Sequence, residues 1–140
     1  PLLVYAPRTA PSGLPRHEMV LNIDIAPTIL DLAGIPAPTT YQGHSFAPLL
    51  QNQTVPWRED FLCEHHFTHP TIPKSEGLRS QDWKYFRYYE QDPLYECLYN
   101  LQIDPNETTN LAADPKHEDL LNLMRARCDQ LIAEAQVGSP

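Results

Sequence analysis

No run of lysines and arginines occurs anywhere in this chain, whose formal charge is −8 and whose isoelectric point lies near 5.1. Nucleic acid and anionic membrane are therefore excluded as main partners, and only a local basic pocket stays open. Long apolar runs are missing too. PLLVYAP, residues 1–7, is far too short to cross a bilayer, and no methionine or basic leader precedes it. The chain accordingly reads as a fragment without a targeting or spanning segment. Cysteine is scarce: Cys63, Cys97 and Cys128 are too far apart for a CxxC-type zinc ribbon, and the odd number leaves at least one unpaired within the chain. One disulfide is allowed but not required. Internal repeats and low-complexity segments are absent as well.

What is present suits a folded piece of ordinary domain size, with 140 residues of which 41% are apolar. PLLVYAP reads as a buried strand and RTAPSGLPR as a loop. NIDIAPTILDLAGIP predicts a helix with Asn22 or Asp24 as N-cap, Pro27 near the first turn, Gly34 as the stop, and Ile25, Ile29, Leu32 and Ala33 on one face. Residues 36–56 form an irregular connection in which SFAPLL supplies a single helical turn. Beyond it, DFLCEHHF, EGLRS, WKYFRYYE and LYECLYNL are short runs separated by turn signals, an antiparallel meander of about four strands. A turn-rich DPNETTNLAADP follows, then a helix capped by Asp114 with Pro115 at its first position. Its stripe of Leu121, Met124, Cys128, Leu131, Ile132 and Ala135 can cover one face of the sheet.

The densest set of ligand-type side chains is EHHFTH, Glu64 to His69. His65 and His69 would align on a helix, but Pro70, Pro73 and the strand-rich flank argue against one, and HExxH is not matched. On a strand His65 and His66 face opposite ways. Substrate contact near a strand end is favoured over a metal site. IPKSEGLRS collects Lys74, Ser75, Glu76 and Arg79 and invites a nucleophile reading. Ser75, however, has no base on its own side. The stretch reads as a polar loop entering a strand, with Arg79 paired to a carboxylate, or with Lys74 contacting an anion or substrate. The aromatics of WKYFRYYE fall on both faces of a strand and read as packing before base or sugar stacking. Asp24 and Asp31 have the chemistry of metal ligands, and Asp24 is explained more simply as a cap. Asn52-Gln53-Thr54 and Asn106-Glu107-Thr108 match the glycan-acceptor pattern, which is common by chance.

As an ordered set, several motifs resemble the C-terminal part of the type I, formylglycine-dependent sulfatases, the family of arylsulfatases and glycosaminoglycan sulfatases. The matching positions are Asp24, Pro27, Thr28 and Gly34; then Gly43, Ser45, Leu49 and Leu50; then Arg79, Lys84 and Tyr85. Tyr99, Asn100, Leu101, Asp104, Pro105, Glu107, Asn110 and Leu111 complete the set, with Glu96 fitting if its spacing is relaxed by a residue.

The resemblance implies an α+β arrangement. Residues 1–56 would be the last strand, helix and connection of an alkaline-phosphatase-like α/β domain, and 57–140 a small antiparallel-sheet subdomain with a terminal helix. It implies a sulfuric ester hydrolase in which a Cys or Ser of a (Cys/Ser)-x-(Pro/Ala)-x-Arg motif becomes formylglycine and a calcium ion takes the charge of the sulfate oxygens. Both belong to a missing N-terminal catalytic part, the expected partner of this chain. Ser75-Glu76-Gly77-Leu78-Arg79 copies the nucleophile motif in part only, so no catalytic or metal-binding residue is assigned here and the fragment is expected to be silent alone. Its expected role is to shape the pocket for a sulfated sugar or aryl sulfate through His65, His66 and Lys74, and the His-rich loop favours a glycan. Periplasmic, secreted or lysosomal location is implied by the family alone. The competing readings are a stand-alone carbohydrate-binding or interaction module and part of a related phosphodiesterase.

Overall fold

The computed structural model describes residues 2–7, 13 and 15–137, and these fall into two compact units, one running to Arg58 and the other Glu59–Gln136. The loop expected at 8–16 lies mostly outside the described residues.

In the first unit the expected helix is present as a 3-10 turn, Asn22–Asp24, leading into α1, Ile25–Leu32, with Gly34 at φ +72° after its end. α2, Ala47–Leu50, is the single turn expected from SFAPLL. Residues 2–6 differ from expectation. They form no strand, and Leu3 and Tyr5 are 93% and 91% exposed. A strand exists only where a neighbour accepts its backbone hydrogen bonds, and none of the described residues supplies one. The apolar face of α1 is open in the same way, with Ile25, Ile29 and Leu32 all exposed.

The second unit is an antiparallel sheet in the order β1 (Asp60–His65), β2 (Ser75–Ser80), β3 (Trp83–Tyr88), β4 (Tyr95–Asn100), followed by α3, Glu118–Val137. Register puts Leu62, Leu78, Tyr85 and Leu98 in one row across all four strands. Leu121, Met124 and Cys128 of α3 cover that row and close the core. Asp114 accepts from the Lys116 amide at 3.0 Å, so the cap anticipated before α3 is in place, on a 3-10 turn at Pro115–His117.

The next row on the same face is charged: Glu64, Glu76, Arg87 and Glu96. These side chains seat α3 instead of repelling it. Tyr85 donates its hydroxyl to Glu96 at 2.6 Å, Arg125 of α3 grips the same carboxylate, and Arg87 bridges Glu76 and Asp129. The Arg125 hydrogen bonds are the main reason the Glu96 carboxyl sits below its ordinary range. Farther along, Arg127 holds Asp60 through two hydrogen bonds at 2.7 and 2.8 Å.

The opposite face carries Cys63, Gly77, Phe86 and Cys97 in one row, with Phe86 stacked near Tyr99. All three thiols are free, and burial pushes that of Cys128 up to about 11. Beyond β4 the chain is tied back by a polar clamp. Asp104 accepts from the amides of Thr108 and Thr109, Lys84 reaches Glu107, and the Asn110 amide oxygen accepts from Leu98 while its nitrogen donates to the Glu96 carbonyl. The DPNETTNL motif thus satisfies the outer edge of β4 without a fifth strand.

Gly77 is the tightest point of the sheet. A Cβ there would lie 2.2 Å from the Tyr85 carbonyl oxygen and 2.5 Å from Phe86 Cβ. Gly77→Ala should therefore destabilise the protein by about 1–3 kcal/mol, the usual range for overpacking. Urea unfolding checks it; an unchanged midpoint would mean that β2 and β3 can separate locally at no cost.

Candidate substrate-contact site

β1 ends at His65 because Pro70 and Pro73 in the FTHPTIP loop cannot sustain a ladder, and the chain re-enters the sheet at Ser75. Consecutive residues at a strand end point to opposite faces, and here the two expected histidines separate accordingly. His66 lies on the α3 side of the sheet plane with Glu64. Its Nε2 is 2.9 Å from Glu64 Oε1, and its Nδ1 is 3.0 Å from the Tyr89 hydroxyl. Lys74, just before β2, donates to Glu90 Oε1 at 2.7 Å. That hydrogen bond, with the charge of Glu90, raises the Lys74 pKa above its ordinary value. Continuing the strand registers by a step puts His66, Lys74 and Tyr89 in one row.

His65 stands on the other face. Its ring meets Phe67 edge-on at 4.4 Å between centroids, and its Nε2 is shielded from solvent with no hydrogen-bond partner among the described residues. The structure therefore brings His66 and Lys74 to one rim, together with Glu64, Tyr89 and Glu90, and sends His65 away from them. Glu64 belongs to the EHHFTH cluster, Tyr89 reads from sequence as strand packing, and Glu90 is not singled out. Their signal was the hairpin register, which places the exit of β3 across from the entry of β2.

Ser75 and Arg79 lie on β2, where Gly77 has no room for the Pro or Ala of a nucleophile motif. The carboxylate partner expected for Arg79 is not found: Arg79 forms no ion pair among the described residues.

A second polar cluster lies in the first unit and corrects the view of Asp24 as a simple cap. Its carboxylate makes no cap to α1 but reaches back to cap the preceding 3-10 turn, accepting from the Leu21 amide at 2.7 Å; it also accepts from the His44 amide at 2.8 Å and pairs with both terminal nitrogens of Arg58 at 2.5 and 2.7 Å. Thr28 donates to the Asp24 carbonyl at 2.6 Å and accepts from the Phe46 amide, and Ser45 donates to Asp31. Gly43 lets this crossing happen, since a Cβ would fall 2.0 Å from the Ile23 carbonyl oxygen. Burial would raise the Asp24 pKa, but the Arg58 hydrogen bonds and the two amides outweigh it and hold the carboxyl below its ordinary range.

With Asp24 and Asp31 both engaged, neither fits as a cation ligand. Among the described residues no three His, Cys, Asp or Glu side chains gather to hold a metal ion. The calcium and formylglycine of the sulfatases find no fitting residues here. Among the described residues no helix is long and apolar enough to cross a membrane.

Four antiparallel strands under one helix, preceded by the Asp-x-x-Pro-Thr helix locked to a Gly-x-Ser connection, define the C-terminal module of a sulfatase with the alkaline-phosphatase-like fold. The chain belongs to the family described as N-sulphoglucosamine sulphohydrolase, C-terminal, whose model matches residues 1–134. It is 29% identical over 134 residues to an N-acetylglucosamine-6-O-sulfatase of Bacteroides thetaiotaomicron, covering 89% of this chain and 24% of that protein. Human arylsulfatase K is 34% identical over 122 residues, with coverage of 80% and 22%. Among solved structures, one in complex with its substrate D-glucosamine-2-N,6-O-disulfate superposes with a TM-score of 0.73 at 25% identity, over 84% of this chain and 24% of that one. The chain thus spans about a quarter of the length of these relatives.

The Asp24–Arg58 pair gives a prediction with a defined sign. A carboxyl whose folded pKa is lowered stabilises the fold fully above its unfolded value, near 3.8, and loses that contribution as pH falls below it through the folded value. Asp24→Asn should cost about 3–5 kcal/mol at neutral pH, as is typical when one member of a buried pair is removed. The difference from wild type should shrink in acid below the unfolded value. Chemical denaturation at pH 7 and pH 3 checks both halves.

Proposed function

We propose that this chain is the substrate-shaping C-terminal module of a sulfatase that hydrolyses sulfate esters of sugars. Family membership carries the reading. The relatives' names supply the substrate class, since one acts on an N-acetylglucosamine 6-O-sulfate and another was seen with a glucosamine disulfate. Residues 1–56 would complete the α/β catalytic domain. Residues 57–140 would form a recognition subdomain beside it, with the N-terminal catalytic part of the same polypeptide as partner.

In this reading formylglycine and calcium come from residues that precede this chain, and the chain by itself turns over nothing. His66 and Lys74 contact substrate from the rim at the ends of β1, β2 and β3. His65 contributes from the other face, where its Nε2 is shielded from solvent and without a hydrogen-bond partner among the described residues, so that it reaches a ligand only if the FTHPTIP loop shifts.

The test is sulfatase activity of the complete polypeptide and of this chain alone, with calcium present, on an aryl sulfate and on sulfated sugars that include N-acetylglucosamine 6-sulfate. Turnover by the complete protein and none by the chain is expected. In the complete protein, His65→Ala, His66→Ala and Lys74→Ala should each raise KM more than they slow turnover, by roughly five- to tenfold for one lost hydrogen bond. Unchanged kinetics at all three positions would remove the rim from the pocket, and silence of the complete protein on every ester would remove the sulfatase reading.

A further inference from the structure

The rim holds a hydrogen-bond chain that links Glu64, His66 and Tyr89. Glu64 and Glu76 face each other across β1 and β2, and the Glu64 carboxylate takes up His66 Nε2 at 2.9 Å. An ionised carboxylate only accepts, so the neutral ring that matches Glu64 is the tautomer with its hydrogen on Nε2 and with Nδ1 as an acceptor. The group 3.0 Å from Nδ1 is the Tyr89 hydroxyl, which must donate its single hydrogen there. The Tyr89 oxygen is left with lone pairs and no hydrogen to give. Next to it Lys74 is matched by Glu90, so the rim sets two carboxylates against one ammonium and has no net attraction for a sulfate. A fixed acceptor beside an aromatic face, in surroundings that do not attract anions, suits the hydroxyl of an uncharged part of a sugar.

We propose that Tyr89 is a specificity-determining residue of the substrate site, its phenol oxygen set as an acceptor by His66 and Glu64 so that it receives a sugar hydroxyl on the side away from the sulfate ester. The proposal rests on the sulfatase reading for the identity of the ligand. Glu64 and His66 position the Tyr89 hydroxyl, and the exposed His66 ring keeps its face and carbon edge for the substrate. Without them the phenol rotates freely and donates as readily as it accepts.

The experiment follows the imidazole nitrogens of His66 by NMR in the complete protein while N-acetylglucosamine is added, and measures KM for its 6-sulfate. The wild-type ring should carry its hydrogen on Nε2, and the Nδ1 signal should move as sugar binds. Tyr89→Phe should abolish that response, weaken sugar binding about five- to tenfold, and raise KM for the sulfated sugar more than it lowers kcat, with a smaller effect on an aryl sulfate. His66→Ala should weaken binding by a similar factor, and the double variant should lose no more than either single one. A His66 ring indifferent to saturating sugar, or a Tyr89→Phe protein that binds sugar as well as wild type, would overturn the proposal. Sugar binding that depends on Tyr89 in a protein with no sulfatase activity would sink the sulfatase reading and leave Tyr89 standing; turnover without that dependence would do the reverse.

Discussion

A residue in a strand can serve one face of the sheet and no other, and this alternation organises the second unit. It lines Leu62, Leu78, Tyr85 and Leu98 beneath α3, where apolar contact holds the helix down. Two residues along, it must place Glu64, Glu76, Arg87 and Glu96 under the same helix. Those charges would be a liability without Arg125 and Asp129, which α3 presents to them on neighbouring turns. Burial therefore supplies the attraction, and the ion pairs fix how the helix lies. The same rule parts His65 from His66, so the chemistry at the sheet end follows from the packing in its middle.

The first unit is arranged differently, around a buried carboxylate beside a small apolar cluster that includes Phe46, Ala47 and Leu49. Asp24 is fully buried, and every group that makes its charge tolerable comes from a different segment: Leu21 just before it, His44 in the connection, Arg58 at the unit's end. Such a centre closes loops of irregular backbone that have little hydrophobic surface to bury. It also leaves the apolar face of α1 uninvolved, and that face is exposed in the described residues.

The sheet and α3 were legible because local rules sufficed: short aromatic and aliphatic runs between turn residues for β1 to β4, and Asp114-Pro115 ahead of an apolar stripe for α3. Contacts across the sequence were not. Nothing local in NIDIAP shows that Arg58 will take up Asp24 in addition to its capping of the 3-10 turn. The exposed LLVY segment, residues 2–5, shows the converse limit, since strand propensity builds no strand without a ladder to join. At the rim, residue type alone drew attention to Glu64, His66 and Lys74, while the placing of Tyr89 and Glu90 beside them came to light only through register. Arg79 was assigned a partner by chemistry, and geometry gave it none among the described residues.

The cysteines settle a different matter. Cys63 and Cys97 share a row but sit on the two edge strands, three strand spacings or about 14 Å apart, whereas a disulfide needs Cα atoms within about 7 Å. Cys128 is on the opposite side of the sheet, buried between α3, to which it belongs, and the strands, with its thiol held protonated. No pair can close without taking the sheet apart. The second unit is thus held together without a disulfide, so its fold needs no oxidising compartment, and the exposed Cys63 is the thiol of the three that an oxidant can reach.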